Sequence, residues 1–593
     1  MEQQRTTTAL ILCFLVWTGW MMFFAPRHRL PAGNAPVNGV PPANQPDQPA
    51  NVPGGNGPGP EVPVTGDFEH PEVPEKTWTA SGKRFDVEFT NRGASVRTLT
   101  LREILDQLGG APMKLLQSFD PDKSSLAACD AAYGEAAMTA NWEVLVPEPD
   151  ELARFRYTYA NGLQLTKTIA ADPANYALAV TLKAKNLGPD PLRHELLLAG
   201  AQGIMHDTLD AQYHMGVRGR INDKGHWTIE EDVSVDKLKK EGPFTAPLAP
   251  DWGGVTSKYF TALLIPDPTG PDPRDRIAEF RWRAVVDHAQ ADQRMAAWQA
   301  KEGREATFEE AAQLRSQVET HIGLWVRMAA VSLEPGQEAA QSFTFFAGPR
   351  RYEDVAPYAK YGLDHLIDFG WFTAIANLLL AVLGWLYSIF GNYGVAIIFL
   401  TLGVKICLFP LTRKAQVSAF KMQQVSPKMK ALQEKFESDK PRLQVEMLKL
   451  YREHGVNPVM GCLPMFFQIP VLIGLYRGLD RSFELRQQPF FGWVSDLSRP
   501  DVLFSLPWEI PLTGTNEFHL LPILMTITWM IQSAMMPKSP DPQMQQQQKM
   551  MMFMPLIFAF MLYSSASGLI LYWFTSTLLG IAEQQFIKRK YLK

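Results

Sequence analysis

The chain has 593 residues, too many for one domain, and its net charge of −4 at pH 7 excludes a general nucleic-acid binding signal. Of its four cysteines, Cys13, Cys407 and Cys462 lie in or beside apolar runs and only Cys129 lies elsewhere, which excludes a disulfide framework. A polar first half followed by a very apolar second half indicates a membrane protein that carries a large soluble domain.

The chain begins with an apolar run, Thr8–Phe24, which is flanked by Arg5 and Arg27. Because no small-x-small cleavage site follows the run, an uncleaved signal anchor is favoured over a cleaved signal peptide. The next stretch, to about residue 76, is rich in Pro, Gly and Asn without periodicity. It has too little apolar surface to fold, so we predict an extended tether.

Between about Thr77 and Pro349, apolar residues alternate at period 2, as in RFDVEFTN, YALAVTLKAKN and QSFTFFAGP. Turn signals such as Asn161-Gly162 and Pro335-Gly336 separate these runs. Many short antiparallel strands are therefore predicted, in a large β-sandwich. A stretch rich in Ala, Glu, Gln and Arg, roughly Ala289–Gln317, predicts a helix inserted into the sandwich.

Apolar helical runs dominate the rest of the chain. The first, Phe369–Phe390, has aromatic residues at both ends, and both a transmembrane helix and an amphipathic helix in the membrane interface stay open. Five further spans follow at residues 393–412, 459–476, 520–536, 550–563 and 569–587.

The distribution of lysine and arginine predicts the orientation of these spans. The segment Arg413–His454 reads as a helical hairpin with ten lysines and arginines against five acids, so it is expected to be cytoplasmic, as is the basic tail from Lys588. The acidic loop between residues 478 and 517 is expected outside. These sides of the membrane are consistent with the number of spans only if Phe369–Phe390 does not cross the bilayer.

A lysine, Lys405, lies inside the span Tyr393–Thr412, where a cation costs about 2.5–3.5 kcal/mol. Thr401 lies one helical turn earlier, on the same face. Two interpretations of Lys405 are equally favoured on physical grounds. The lysine could belong to an internal polar site, or its side chain could extend (snorkel) to the inner interface near Thr412, about 10 Å away by helix rise. The spans contain further polar residues, which could serve function or only hold helices together. These residues are Gln468, Gln532, Thr575 and Ser576.

The sequence contains no phosphate-binding loop, zinc-protease motif or nucleophile elbow, and its histidines are scattered. We therefore expect no enzyme activity, cofactor or metal. On the residues alone, two function classes stay open: an anion-handling solute transporter that uses Lys405, and an envelope-binding protein that acts through its β domain. A transporter is expected to show internal repeats, and none is visible in the sequence.

Short motifs follow one another along the membrane half in a specific order and spacing. They are Gly391-Asn392-Tyr393-Gly394, Phe409-Pro410-Leu411-Thr412, Ser426-Pro427-Lys428, Leu450-Tyr451, Val456-Asn457-Pro458, Gly461-Cys462-Leu463-Pro464, Gln468-Ile469-Pro470 and Gly568-Leu569-Ile570-Leu571-Tyr572. Together they resemble the bacterial YidC-type membrane protein insertases and their organellar relatives in oxidase and antenna assembly. The resemblance covers nearly the whole chain.

That resemblance implies a polytopic α-helical membrane protein with an N-terminal anchor, a five-helix core and a large periplasmic β-sandwich. It implies an inner-membrane location in a Gram-negative bacterium, with both termini cytoplasmic. The implied function is insertion and folding of integral membrane proteins through a polar groove, alone or with the Sec translocon, without nucleotide hydrolysis. The implied partners are nascent clients, lipids, and ribosome or targeting receptor at residues 413–458.

Carried over from the family, the groove and client-binding positions are Lys405, Thr401, Gln468, Tyr572 and Trp573. The family usually has arginine at the position of Lys405, so this chain keeps the positive charge but loses bidentate pairing with a client carboxylate. Tyrosine is common where Trp573 stands. The turn Ser565-Ala566-Ser567-Gly568 also departs from a more aromatic, proline-containing family turn.

The expected domains follow from these patterns. They are an anchor (1–24), a linker (25–76), a periplasmic β-sandwich (77–351), an interfacial helix (352–391), transmembrane helix 2 (392–412), a cytoplasmic hairpin (413–458), transmembrane helix 3 (459–477), a periplasmic loop (478–517), transmembrane helix 4 (518–537), a cytoplasmic loop (538–549), transmembrane helices 5 (550–566) and 6 (567–587), and a short basic tail (588–593).

Overall fold

The computed structural model describes residues 73–591 except 119–123, 173–174, 206–214, 222–224, 247–249, 268–276, 287, 303, 305–319, 368–372, 437–438, 456–462, 511–514 and 536–541. The predicted signal anchor and almost all of the predicted tether lie outside the described residues. The part up to Pro349 is rich in β-strands, and the part after it is mostly helical.

The strands are short and antiparallel. They are β1 (Thr77–Ser81), β2 (Phe85–Thr90), β3 (Ser95–Leu105), β4 (Pro112–Gln117), β5 (Ala128–Asp130), β6 (Glu143–Leu145), β7 (Glu151–Thr158), β8 (Leu163–Ala171), β9 (Ala177–Asn186), β10 (Leu192–His194), β11 (Leu196–Gln202), β12 (Met215–Ile221), β13 (Trp227–Ser234), β14 (Phe244–Thr245), β15 (Trp252–Thr256), β16 (Phe260–Pro266), β17 (Ile277–Val286), β18 (Thr320–Met328), β19 (Val331–Leu333), β20 (Glu338–Pro349), β21 (Phe504–Ile510) and β22 (Thr515–Phe518).

Two large sheets form the body of the β domain. A nine-stranded sheet has the order β13-β12-β15-β16-β20-β9-β8-β7-β6, and a five-stranded sheet has the order β14-β17-β18-β11-β5. Strands β15 and β16 of the first sheet contact β11 and β18 of the second, and a continuous apolar core fills the space between them. A four-stranded sheet, β1-β2-β3-β4, packs on the same core. The predicted β-sandwich is confirmed.

The hairpin between β7 and β8 shows how local chemistry produces these strands. Gly162, at φ +88°, and Asn161, whose side chain accepts a hydrogen bond from the Leu163 amide at 3.1 Å, close the turn. Along β8, buried residues alternate with half-buried ones. This alternation is the pattern of a strand with one face in the core.

One residue on the buried face of β8 is a lysine. Lys167 is completely buried, and its ammonium donates hydrogen bonds to the Ala94 carbonyl at 2.8 Å and to the Leu126 carbonyl. Both acceptor residues have left-handed backbone conformations, with φ of +50° and +63°. Burial lowers the pKa of Lys167 to about 7. This side chain therefore ties together two strained turns inside the domain.

The helices are α1 (Ala136–Thr139), α2 (Val235–Glu241), α3 (His288–Glu302), α4 (Tyr352–Val355), α5 (Thr373–Phe390), α6 (Tyr393–Lys435), α7 (Lys440–Glu453), α8 (Leu463–Arg481), α9 (Leu520–Ala534), α10 (Pro542–Met561) and α11 (Ser567–Tyr591). Helix α3 begins where the inserted helix is predicted, and most of the rest of that predicted stretch lies outside the described residues. Between α4 and α5 the described chain forms short 3₁₀ turns, Ala356–Tyr361 and Leu363–Leu366.

Helix α6 is longer than the sequence suggests. It starts at the predicted break, where Gly391 has φ +64° and the Asn392 side chain caps the helix by accepting from the Val395 amide at 3.0 Å. It then runs through Pro410 and Pro427 without ending, so the predicted span and the first arm of the hairpin form one helix. Helix α7 folds back on that arm, around buried Val425 and Met429.

By length and composition, two described helical stretches could each cross a membrane: Thr373–Phe390 and Tyr393–Met422. Two shorter apolar stretches are Leu520–Ala534 and Met552–Met561. In the helical core, α11 packs against α6, α8 and α9, while α5 packs against α6 and α8. The core cluster of these helices is separate from that of the β domain.

The β domain contacts the helical core through the end of α8 and the segment that follows it. The Arg486 guanidinium is buried and donates to the carbonyls of Leu105 and Asp106, both at 2.8 Å. Lys258 forms an ion pair with Asp480 at 3.2 Å. The rings of Phe260 and Phe483 also meet edge to face, 5.7 Å apart. These contacts fix the β domain over the end of α8.

Candidate functional site

The last helix, α11, presents one stripe of polar or small residues to the other core helices. Tyr572, Ser576, Gly580 and Glu583 recur at helical spacing, so they lie on one face over about 16 Å of helix length. Tyr572 and Ser576 are buried, while Glu583 is half-buried. Polar side chains from three other helices meet this stripe.

Gln468, on α8, is the first of these side chains. Its amide nitrogen lies 3.4 Å from the Ser576 hydroxyl, and the side chain also interacts with the Tyr572 hydroxyl. Two of the residues predicted for the groove, Gln468 and Tyr572, are therefore brought together by the fold. Polar groups inside a membrane protein are usually paired in this way, because an unpaired group in hydrocarbon costs several kcal/mol.

Lys405 meets the same stripe from α6. A Cβ atom built on Gly580 would lie 3.8 Å from the Lys405 Nζ and would collide with the Gln532 side-chain nitrogen of α9. The missing side chain at Gly580 thus lets the ends of Lys405 and Gln532 lie against the backbone of α11. Lys405 is half-buried, and its ammonium is directed to a neighbouring helix. Of the two interpretations of this lysine, the geometry favours an internal polar site.

Thr401 lies one turn earlier on α6 and is almost completely buried. Its hydroxyl donates to the Ile397 carbonyl of the same helix at 2.6 Å. A hydroxyl bonded to the carbonyl one turn earlier is a usual arrangement for a threonine inside a helix. The fold therefore places Thr401 beside the core cluster, with its hydroxyl turned to its own helix.

Trp573 lies next to the polar stripe, within an aromatic group. Its ring centroid is 5.1 Å from that of Trp529 on α9 and 5.3 Å from that of Phe558 on α10. Trp529 and Phe558 also contact each other, edge to face at 5.3 Å. Trp573 thus joins three helices in an apolar contact, beside the polar contacts of Tyr572 with Gln468.

Three residues of the site were not predicted from the sequence. The Thr412 hydroxyl of α6 donates to the carboxylate of Glu583, and that carboxylate interacts electrostatically with Lys405. Gly580 is the third. The available signal was Glu583 itself, an acid within the apolar run from Leu569 to Ile587, at helical spacing from the buried polar residues before it.

Hydrogen bonds from the loop after α8 hold the start of α11. At the start of α11, the Ser567 amide donates to the Arg499 carbonyl at 2.7 Å, and its hydroxyl donates to the Asp496 carbonyl at 2.9 Å. The Gly568 amide donates to the Leu497 carbonyl at 2.9 Å. The turn that departs from the family pattern is thus held by this loop.

Asp501 in the same loop caps α9. Its carboxylate accepts from the amides of Leu520 and Leu521 at 2.9 and 2.8 Å, and from the Trp493 indole at 2.8 Å. An acid at a helix N-terminus accepts hydrogen bonds from amides that have no partner within the helix, and its negative charge interacts favourably with the positive end of the helix dipole. The loop therefore fixes the starts of both α9 and α11.

Comparisons with known proteins agree with this architecture. Residues 385–593 match the family described as 60Kd inner membrane protein, and residues 77–382 match the YidC periplasmic domain. Over 577 residues the chain is 30% identical to the membrane protein insertase YidC of Syntrophus aciditrophicus, covering 94% of this chain and 91% of that one. The chain belongs to the YidC family of membrane protein insertases.

Other YidC insertases are similar to the chain over different extents. That of Pelobacter propionicus is 28% identical over 99% of both chains. That of Syntrophobacter fumaroxidans is 41% identical over 43% of this chain and 45% of its own. A solved structure of an active YidC insertase with its first transmembrane domain resolved covers 86% of this chain and 92% of its own, at 17% identity and a TM-score of 0.32.

Proposed function

We propose that this chain inserts membrane proteins by offering their hydrophilic segments a polar path along α11. The observation that carries the proposal is the convergence of Lys405, Gln468 and Gln532, from three different helices, on the stripe of Tyr572, Ser576 and Gly580. Membership in the YidC insertase family supports the same function.

The physical problem that such a path addresses is the cost of moving polar groups through hydrocarbon. A charged side chain at the bilayer centre costs about 2.5–3.5 kcal/mol on insertion scales. A stripe of hydrogen-bonding groups along about 16 Å of helix shortens the apolar distance that the client's tail must cross. The loop around Asp496 would close the outer end, so the path would open to the cytoplasm and to the lipid.

The client's apolar segment would leave beside the aromatic group of Trp573, Trp529 and Phe558. Burial of about 20 apolar residues in lipid supplies the free energy, at about 25 cal/mol per Å² of apolar surface. No nucleotide hydrolysis is needed for this scheme. The client-binding role would then be shared by Lys405 and Gln468 on the polar side and by Trp573 on the apolar side, with Thr401 and Tyr572 shaping the wall.

For the topology, we propose that α6, α8, α9, α10 and α11 form a five-helix membrane core and that α5 lies in the outer interface. The charge bias supports this arrangement, with the hairpin of α6 and α7 inside and the β domain in the periplasm of a Gram-negative cell. Both termini would be cytoplasmic. The basic hairpin would meet ribosomes or targeting receptors, and the core would work alone or beside the Sec translocon.

The proposal is tested by rescue of a depleted strain with Lys405→Ala, Lys405→Glu and Lys405→Arg. The insertion of an acidic-tailed client is followed in parallel by protease protection. Arginine is expected to support at least wild-type insertion, alanine to reduce it several-fold, and glutamate to reduce it most, because a carboxylate repels the tail. Equal rescue by Lys405→Glu and Lys405→Arg would refute an electrostatic role for this position.

Two further measurements separate the alternative functions. Deletion of residues 77–349 should leave client insertion measurable if the helical core does the work, whereas a protein that acts through its β domain would lose its activity. Vesicles containing the purified chain should show no uptake of a small organic anion. Uptake without client insertion would instead favour a solute transporter.

A further inference from the structure

Glu583 lies on the polar stripe of α11, one turn after Gly580, where the Lys405 ammonium contacts that helix. Glu583 follows Gly580 by three residues, so the two share a helix face. The Lys405 Nζ lies 3.8 Å from the Cβ position of Gly580, and the Glu583 carboxylate interacts electrostatically with that ammonium. The chain therefore carries its own acid at the cation site.

Glu583 is held by α6 in a second way. The Thr412 hydroxyl donates a hydrogen bond to the Glu583 carboxylate, and Thr412 lies two helical turns beyond Lys405. Within the described part of the chain, no carboxylate forms an ion pair with Lys405 at contact distance. The acid is thus tethered near the lysine by a threonine, and the lysine keeps donors that a further carboxylate can use.

The electrostatic consequence concerns what the site attracts. An isolated ammonium here would draw any acidic segment of a client strongly, since charges interact more strongly in a poorly solvated site than in water. A carboxylate beside it cancels part of that field and repels an approaching acid. The attraction for an acidic tail is then set by the pair of residues and not by Lys405 alone.

We propose that Glu583 is an internal competitor for Lys405 and determines how strongly the site selects acidic client segments. The proposal rests on the function proposed above and names the residue that limits its charge selectivity. A client carboxylate binds Lys405 in competition with Glu583, which keeps its hydrogen bond to Thr412. When the client leaves, Glu583 again balances the lysine, so an acidic tail is not retained.

The test compares two versions of one client in vesicles that contain the full chain. The first version has an acidic tail, and the second has the same tail with each Asp and Glu replaced by Asn and Gln. The measured quantity is the ratio of their insertion rates by protease protection. Glu583→Gln removes the competing charge and is expected to raise this ratio about tenfold, at the low end of couplings measured between close charge pairs.

Two variants act as controls for charge and position. The double variant Glu583→Gln/Gln585→Glu keeps the net charge of α11 but moves the carboxylate to an exposed position off the stripe, so the ratio should stay raised. Glu334→Gln removes the same charge from an exposed site in the β domain and should leave the ratio unchanged. A restored ratio in the double variant would show that only net charge matters and would overturn the proposal.

A second variant tests the tether without removing the charge. Thr412→Val deletes the hydroxyl that holds the carboxylate, so Glu583 should turn to Lys405 and the ratio should fall, opposite in sign to Glu583→Gln. An unchanged ratio in Glu583→Gln, or a rise in Thr412→Val, overturns the proposal. Lys405→Ala distinguishes a failure of the insertion function from a failure of the competitor role. If Lys405→Ala lowers insertion while Glu583→Gln has no effect, the insertion function stands and the competitor role fails.

Discussion

The contact between the β domain and the helical core can be tested at Arg486. Its buried guanidinium donates two hydrogen bonds of 2.8 Å to the carbonyls of Leu105 and Asp106, at the end of β3. Hydrogen bonds to a charged group are each worth about 1.5–3 kcal/mol. The substitution Arg486→Met keeps the apolar stem but removes both bonds.

We expect this change to weaken the contact by about 3 kcal/mol, the low end of the sum for two bonds, because the Leu105 carbonyl keeps a hydrogen bond from the Gln487 side chain at 3.1 Å. This corresponds to an increase in the open population on the order of a hundredfold. The ion pair of Lys258 with Asp480 and the ring contact of Phe260 with Phe483 remain, so the domain still docks for most of the time.

The open population can be measured by thiol labelling of Ser482→Cys in an otherwise cysteine-free chain. Ser482 is only 5% exposed and precedes Phe483 in the contact, so its labelling rate reports transient opening. Arg102→Met is the matched control, because Arg102 forms an exposed ion pair with Asp86 on the same sheet. An unchanged labelling rate in Arg486→Met, or an equal rise in Arg102→Met, would refute this role of Arg486.

Two further predictions concern the stability of the solubilised chain. The pKa of buried Lys167 is lowered to about 7, so between about pH 7 and 10.5 the unfolded chain binds a proton that the native chain lacks. In urea unfolding, the free energy of unfolding should therefore rise with pH by up to ~1.4 kcal/mol per pH unit in this range. Lys167→Met should remove this rise. The same pH slope in Lys167→Met as in the wild type would contradict a buried, neutralised lysine. Asp501→Ala removes the cap of α9 and should cost about 1–2 kcal/mol in thermal unfolding, whereas Asp439→Ala at the exposed start of α7 should cost less.

Local sequence signals predicted those parts of the fold that depend on neighbouring residues. The alternation in β8 and β9, the Asn161-Gly162 turn and the break at Gly391-Asn392 all have a local cause, which the hydrogen bonds at these positions show. Strands β11 and β16 carry no alternating signal of their own, for an equally physical reason. Both are buried along nearly their whole length, so their sequences, LLLAGAQ and FTALLIP, lack the alternation that distinguishes a strand from a buried helix.

Pro410 illustrates where local rules gave way to packing. A proline inside a helix usually marks a kink or an end, and the span was expected to end near Thr412. In the structure α6 continues past this proline and remains packed against α11, where Thr412 meets Glu583. The same contact explains why Glu583 was missed: its significance depends on a residue far away in the sequence.

The candidate site was therefore predictable in its parts but not in its pairings. Lys405 and Gln468 stand out in the sequence because polar residues in apolar spans are costly. Their partners on α11 become clear only when Ser576 and Gly580 are seen to leave room for them. The aromatic group around Trp573 likewise draws on three spans that are separated by loops.

These pairings bear on how strongly the proposed site would hold a client. Gln468 already interacts with Ser576 and Tyr572, and Thr412 already bonds Glu583. In the proposed function, a client's polar groups would therefore replace existing hydrogen bonds rather than add to them. Such exchanges are nearly balanced, at about 0.5–1.5 kcal/mol each. Weak polar binding suits a protein that must release every client into the lipid. Under the proposal, selectivity among clients would come instead from charge, because Lys405 would be shared between Glu583 and an incoming carboxylate.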